Sequence, residues 1–189
     1  DWINNGTFAA NSVGSGGTPT VTFNGTGLQY MINNSTSFYN LTINKSSSSV
    51  TMNQNNTVTN TLTLTSGLIN TGANTLSITR TAPAAISGGG TSSYINTGAT
   101  GNLRRYIAAT GSYNLPVGNA DAYQLMNLNF TSANTITYID VNFDNPTNAT
   151  GTGLTLTESG YTYDYILDNG GSSPTTGNSY GGVWTVTPN

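Results

Sequence analysis

The chain has 189 residues with four Lys or Arg against seven Asp or Glu, a net charge of −3 and a pI near 4.3, and it holds neither cysteine nor histidine. That composition excludes a disulfide framework, a zinc knuckle and a thiol nucleophile, and it offers no basic face for nucleic acid. Charged residues make up only 6%, against roughly 25% in ordinary soluble domains, so Asn, Thr, Ser and Gly carry the solubility, and no apolar run approaches the ~18 residues of a membrane span.

Residues 1–17 hold Trp2 and Phe8 among Asn and Gly, followed by the run SVGSGG. The two aromatics are placed to plug the first turn of a repeat, because the end of a stacked array has to be capped or paired. The sequence opens at Asp1 in mid-pattern and without a signal peptide, as a mature piece or one cut from something longer would.

The repeat itself is clearest from Asn60 to Arg80, NTLTLTSGLINTGANTLSITR. Leu62 and Leu64 match Leu41 and Ile43, Leu68 falls opposite Val50 and Leu76 opposite Val58, at offsets of roughly 18 to 21 residues. Forward, Ile69, Asn70, Thr71 and Gly72 return as Ile95, Asn96, Thr97 and Gly98; backward, Val21 to Phe23 precedes Leu41 to Ile43 by one period. About four degenerate copies follow, each with three short strands. Inside each copy apolar residues alternate with Thr, Ser or Asn, the period-two pattern of a strand with one buried and one wet face. Strands this short gain a core only by stacking, so the prediction is a parallel β-helix-like solenoid over residues 1–103. The competing reading is an antiparallel sandwich whose Thr-rich strands resemble one another by composition alone. Lys45 to Ser49 read as a loop between strands, and Thr81 to Ser93, rich in Gly and Pro, as a longer excursion.

Near Gly101 to Tyr106 the pattern changes to longer, more aromatic strands, and every acid except Asp1 lies beyond it. Residues 104–189 are therefore predicted to form an antiparallel β-sandwich-like domain. Its strands are placed at Tyr113–Val117, Tyr123–Phe130, Thr135–Phe143, Gly153–Thr157, Tyr161–Leu167 and Val183–Thr187. Ile139, Val141 and Phe143 are expected to face the core, with Asp140, Asn142 and Asp144 outward.

The segments WINNGTF, TVTFNGTG, FYNLTINKSSSSVTM, TVTNTLTLTSGLINTGANTLSI, LRRYIAATGSYNLPVG and GVWTVTPN resemble the repeat-bearing regions of very large surface proteins secreted by Bacteroidota. The resemblance spans nearly the whole chain. It implies export through the type IX system to the cell surface and a role as an adhesin, stalk or extracellular filament, with gliding motility among the functions of similar proteins. It brings no catalytic residue, and the C-terminal sorting domain of such cargo is not in this stretch.

Enzymes on solenoid faces need carboxylates or another general acid or base. Between Asp1 and Asp121 there is no Asp or Glu at all, so no catalytic site, cofactor site or metal site is assigned. DVNFDN, with Asp140, Asn142 and Asp144, has the look of a calcium loop, yet Asn145 stands where the loop needs Gly and Gly151 where it needs Glu. A solvated strand face is the better reading. Glu158 and Asp164 are possible partners for Arg104 or Arg105. Thr22, Thr42, Thr63 and Ser77 suggest a hydroxyl column; regular Thr arrays bind ice and flat polar faces bind glycans, but varying loop lengths argue against a flat lattice here.

The expectation from sequence is an extracellular or cell-surface structural protein, an adhesin module or filament subunit joined by strand edges at Trp2 to Phe8 and Val183 to Thr187. Its partners would be further copies, neighbouring modules of the same chain or surface glycans, with no nucleic acid and no membrane span. The alternative is a carbohydrate-binding module built on Tyr161, Tyr163, Tyr165, Tyr180 and Trp184.

Overall fold

The computed structural model describes residues 2–4, 18–33, 37–98, 100–144, 154–158, 161–165 and 183–189. Their regular elements are strands, with one 3₁₀ turn at Pro83–Ala85. In chain order the strands are β1 (Trp2–Asn4), β2 (Thr20–Gly25), β3 (Gln29–Asn33), β4 (Ser37–Met52), β5 (Asn56–Asn70), β6 (Thr75–Ile78), β7 (Ile86–Gly88), β8 (Ile95–Asn96), β9 (Asn102–Tyr106), β10 (Gly111–Gly118), β11 (Tyr123–Phe130), β12 (Tyr138–Asp144), β13 (Leu154–Glu158), β14 (Tyr161–Tyr165) and β15 (Val183–Pro188).

The protein is all-β, and its main body is a β-solenoid of about four turns. The two long strands show how a turn is built. β5 pairs in parallel with β6 through Asn56–Val58, with β7 through Leu62–Leu64 and with β8 through Ile69–Asn70. One turn thus contributes to three ladders, as the three-strand repeat predicted. The first ladder stacks β2, β4, β5 and β7; the second stacks β1, β3, β4, β5, β8 and the end of β10; the third stacks β4, β5, β6 and β9.

Alternation sends every second side chain inward, and the parallel register places like on like. Val21, Leu41, Leu62 and Ile86 form one column; Phe23, Ile43 and Leu64 a second; Val50, Ile69, Ile95 and Val117 a third. Leu41, Ile43, Leu62, Ile69 and Ile95 are fully buried. Each such side chain contributes about 1.5–3 kcal/mol on leaving water, so the stack is held by many comparable terms.

Four details differ from the sequence reading. Val50 meets Ile69 rather than Leu68, because between these columns β4 is longer than β5 by two residues (Ile43 to Val50 against Leu64 to Ile69), not by the three that a match to Leu68 requires. Ser48 there adopts φ 64 and Gly67 φ 84, and a Cβ on Gly67 would lie 2.7 Å from Lys45 Cβ, so only glycine fits above that lysine. Val58 meets Ile78, while Leu76 lies on Asn56. Lys45 to Ser49 belong to β4 rather than to a loop, and Lys45 is buried. The excursion after Thr81 does not leave the stack either, since β7 within it forms the fourth level of the first ladder. Gly88 makes that level possible: at φ 79 its α-carbon sits so close to Leu64 that a Cβ would fall 2.1 Å from the Leu64 carbonyl oxygen. The excursion lengthens the turn, so most side-chain bonds between levels join residues 19 to 22 apart below it and 25 or 26 apart across it.

The residue 103/104 boundary falls inside β9, and β9 pairs in parallel with β6. Parallel stacking continues as far as Val117 and Gly118 on β8. The chain then reverses through a turn in which Asn119 Oδ1 accepts the Asp121 and Ala122 N–H groups. From there strands run antiparallel: β11 on β10, β12 on β9, β15 on β12. They join the solenoid's own sheet, while β13 and β14 form a separate two-stranded hairpin. Ile139, Val141 and Phe143 face the core as expected.

Candidate functional site

Among the described residues the charged side chains are few, and their placement is unlike the sequence expectation. Asp140 is half-buried and forms a bidentate pair with Arg104, whose Nε and Nη2 each donate to the carboxylate at 2.7 Å. This hydrogen bond to the carboxylate holds the Arg104 guanidinium above its ordinary pKa. Asp140 is thus engaged across strands rather than solvated, and it is a partner of Arg104; the side chains of Glu158 and Asp164 lie outside the described residues. Asn142 Nδ2 donates back to the Thr97 and Gly101 carbonyls, which ties β12 to a corner of the stack. The Asp144 side chain lies outside the described residues. Among them, no three of His, Cys, Asp and Glu come together.

Arg104 also sits 4.1 Å above the Tyr138 ring, and Tyr138 lies 5.3 Å from Tyr106. The Tyr138 hydroxyl accepts from Asn189 Nδ2 at 2.6 Å. Each member of this outer cluster is occupied by another, so the group braces the antiparallel end. The aromatics expected to form a sugar platform, Tyr161, Tyr163, Tyr165, Tyr180 and Trp184, have side chains outside the described residues, as does Phe8.

Two cations are buried. Lys45 Nζ donates to Gln29 Oε1 at 2.8 Å and to the Asn24 carbonyl at 3.4 Å, and burial lowers its pKa. Arg105 is fully buried; it donates to the carbonyls of Arg80, Ala82 and Tyr106 and lies 5.1 Å from the Tyr113 ring. Burial pushes its guanidinium down to about 10, which leaves it cationic at neutral pH. Both have their donors taken up by neighbouring oxygens, an arrangement suited to holding chain segments together.

The outer hydroxyl column exists with one change of member. Thr22, Thr42 and Thr63 are in register, and the fourth position is Ser87; Ser77 lies on the third ladder beside Thr57 and Arg104. The excursion from Thr81 to Ser93 supplies its last member.

The stack's ends are the remaining feature. Among the described residues β2 pairs only with β4 and β1 only with β3 at one end, β11 only with β10 and β15 only with β12 at the other. Apolar side chains there are only partly covered: Trp2 and Val21 at one end, Met126, Leu128, Phe130 and Ile136 at the other. Trp2 packs edge-on against Phe38 with ring centroids 5.7 Å apart, so it does cover the core's first level. No helix among the described residues is long and apolar enough to cross a membrane. No family model, curated protein or solved structure matches the chain.

Proposed function

We propose that this chain is an extracellular structural module, part of a cell-surface adhesin or the subunit of a filament, that joins its neighbours end to end through strand edges. One observation carries the reading: among the described residues, an open backbone edge coincides with half-covered apolar side chains at both ends of the stack. Natural edge strands are ordinarily protected by Lys, Pro or an inward charge. β2 (TVTFNG) and β11 (YQLMNLNF) have none of these. An unprotected edge above an apolar column favours a partner strand that continues both, and a contact between two different ends repeats without closing, which builds a filament. The uncharged Asn and Thr surface, which offers no charge for nonspecific attachment, fits the same reading.

Negative-stain electron microscopy across a range of concentrations tests it. The wild-type chain is expected to lengthen into fibres as concentration rises. Met126→Lys, an inward charge on β11, is expected to leave discrete short particles while circular dichroism stays unchanged. Particles that remain single at every concentration, or fibres undiminished by Met126→Lys, would overturn the end-to-end reading.

A further inference from the structure

The outer side of the first ladder carries an ordered feature that stacking alone does not use. Thr22, Thr42, Thr63 and Ser87 follow one another level by level, and the β4–β5 register is unbroken from Asn40 to Ile43. To one side, Asn60 Nδ2 donates to Asn40 Oδ1 at 2.7 Å and Asn40 Nδ2 to Thr20 Oγ1 at 3.3 Å. To the other, Ser66 Oγ donates to Asn44 Oδ1 at 3.2 Å. These flanking side chains are locked to one another, whereas the four hydroxyls of the central column make no hydrogen bond to any described residue. Thr22 and Ser87 are exposed, and Thr42 and Thr63 are half-exposed.

Neighbouring strands lie about 4.8 Å apart and alternate residues of one strand about 6.6 Å apart. Outward Thr and Asn side chains on such a ladder therefore form a rectangular net with fixed repeats in two directions. Thr is stiff at χ1, so the net loses little freedom when something binds it. Each Thr also presents a methyl group that orders first-shell water beside a hydroxyl that hydrogen-bonds it. The central column is uncharged, and Arg80 reaches only the margin, 3.4 Å from Thr61. A neutral, pre-ordered net with both repeats near the oxygen spacings on the faces of hexagonal ice is complementary to a water lattice. A sugar chain would call for aromatic rings to stack on, and the net contains none.

We propose that the first-ladder face, centred on Thr42 and Thr63, binds ice. The proposal is independent of how the ends of the stack are used.

The test is partition of the fluorescently labelled 189-residue chain into a slowly growing ice hemisphere, with thermal hysteresis read in parallel. The wild type is expected to enter the ice, and Thr42→Tyr, which raises a ring in the middle of the net, to lower the incorporated amount at least tenfold. Thr22→Tyr, on the exposed first strand, gives a second variant that does not depend on the stack's centre. Ser112→Tyr, an exposed position on β10 outside the net, is expected to behave as wild type. Exclusion of the wild-type chain from ice would overturn the proposal, as would wild-type incorporation of both threonine variants or equal loss in Ser112→Tyr. Retardation in a gel containing hydroxyethyl cellulose that Thr42→Tyr abolishes, without entry into ice, would overturn it in favour of a neutral polysaccharide.

Discussion

The middle turns and the antiparallel end of this molecule are held by different means. Between β2 and β7 most apolar residues sit on apolar ones and small polar residues on small polar ones, Leu41 on Leu62, Thr42 on Thr63, Ile43 on Leu64. Stability there is a sum of many similar contributions, and no single level is special. Beyond Gly101, where Leu103 still sits on Leu76 and Val117 on Ile95, the added contacts are between unlike groups: Arg104 with Asp140, Arg105 with backbone carbonyls, Asn142 with a corner, Tyr113 Oη with Ala108 N and the Thr81 carbonyl. A repeat can extend itself by copying one level, but it can end only where other residues satisfy what the next level would have satisfied.

The largest expected effect lies where the columns are most regular. Leu62→Ala removes a fully buried side chain between Leu41 and Ile86. It should lower unfolding stability by about 2–5 kcal/mol in urea titrations. Leu28→Ala, at a side chain 47% exposed, should change it by no more than about 0.5 kcal/mol. Equal losses at the two positions would mean that the stacked columns do not carry the stability of the middle turns.

Arg105→Met probes the other mode. It leaves the carbonyls of Arg80, Ala82 and Tyr106 without their shared donor, and an unpaired buried acceptor costs about 1–3 kcal/mol. Because the charge that is removed was itself costly to bury, the net loss should be about 2 kcal/mol, with Arg105→Lys intermediate, since an ammonium lacks the planar fork. Stability unchanged in Arg105→Met would show that β9 is held by its ladder alone and that the distinction between the two regions fails at this point.

Much of the stack was legible in the sequence because its physics is periodic. The alternation in L-T-I and L-T-L, together with Ile69–Asn70–Thr71 returning as Ile95–Asn96–Thr97, gave both the inward columns and the order of the levels. Register at the corners was not legible, since a change of one or two residues there depends on the left-handed backbone of Ser48 and Gly67, which leaves no periodic trace. The buried cations were legible in principle. Lys45 follows Leu41 and Ile43 at the same spacing, and Arg105 stands between Leu103 and Ile107, so alternation points both inward. Charge suggests a loop or a surface pair for such residues, and periodicity outweighed it. Ser87 was missed as the fourth hydroxyl for a related reason: Gly- and Pro-rich composition marks an excursion but does not show that a strand continues within it.

Lys45 is the polar exception inside the homotypic stack, and it separates the contribution of a buried amine from that of its aliphatic stem. Met has a stem of similar length, so Lys45→Met keeps the packing under Gly67 and removes the ammonium together with its bonds to Gln29 and Asn24. At neutral pH the two effects oppose each other, and the stabilities should agree within about 1 kcal/mol. They should part as the solution becomes alkaline. Burial lowers the folded-state pKa of Lys45 below its ordinary 10.5, so between those two values the unfolded chain holds the proton that the folded chain has released. The unfolded state then binds more protons, and the unfolding free energy of the wild type rises with pH across that window. The other groups that titrate there are common to both proteins and cancel in the difference. Urea midpoints of the two chains, compared from neutral pH to 10.5, should therefore shift toward the wild type as pH rises. A difference that stays flat over the whole range would mean that the Lys45 amine is as well solvated in the fold as in the unfolded chain, and that the interior of the stack tolerates charge as readily as its antiparallel end.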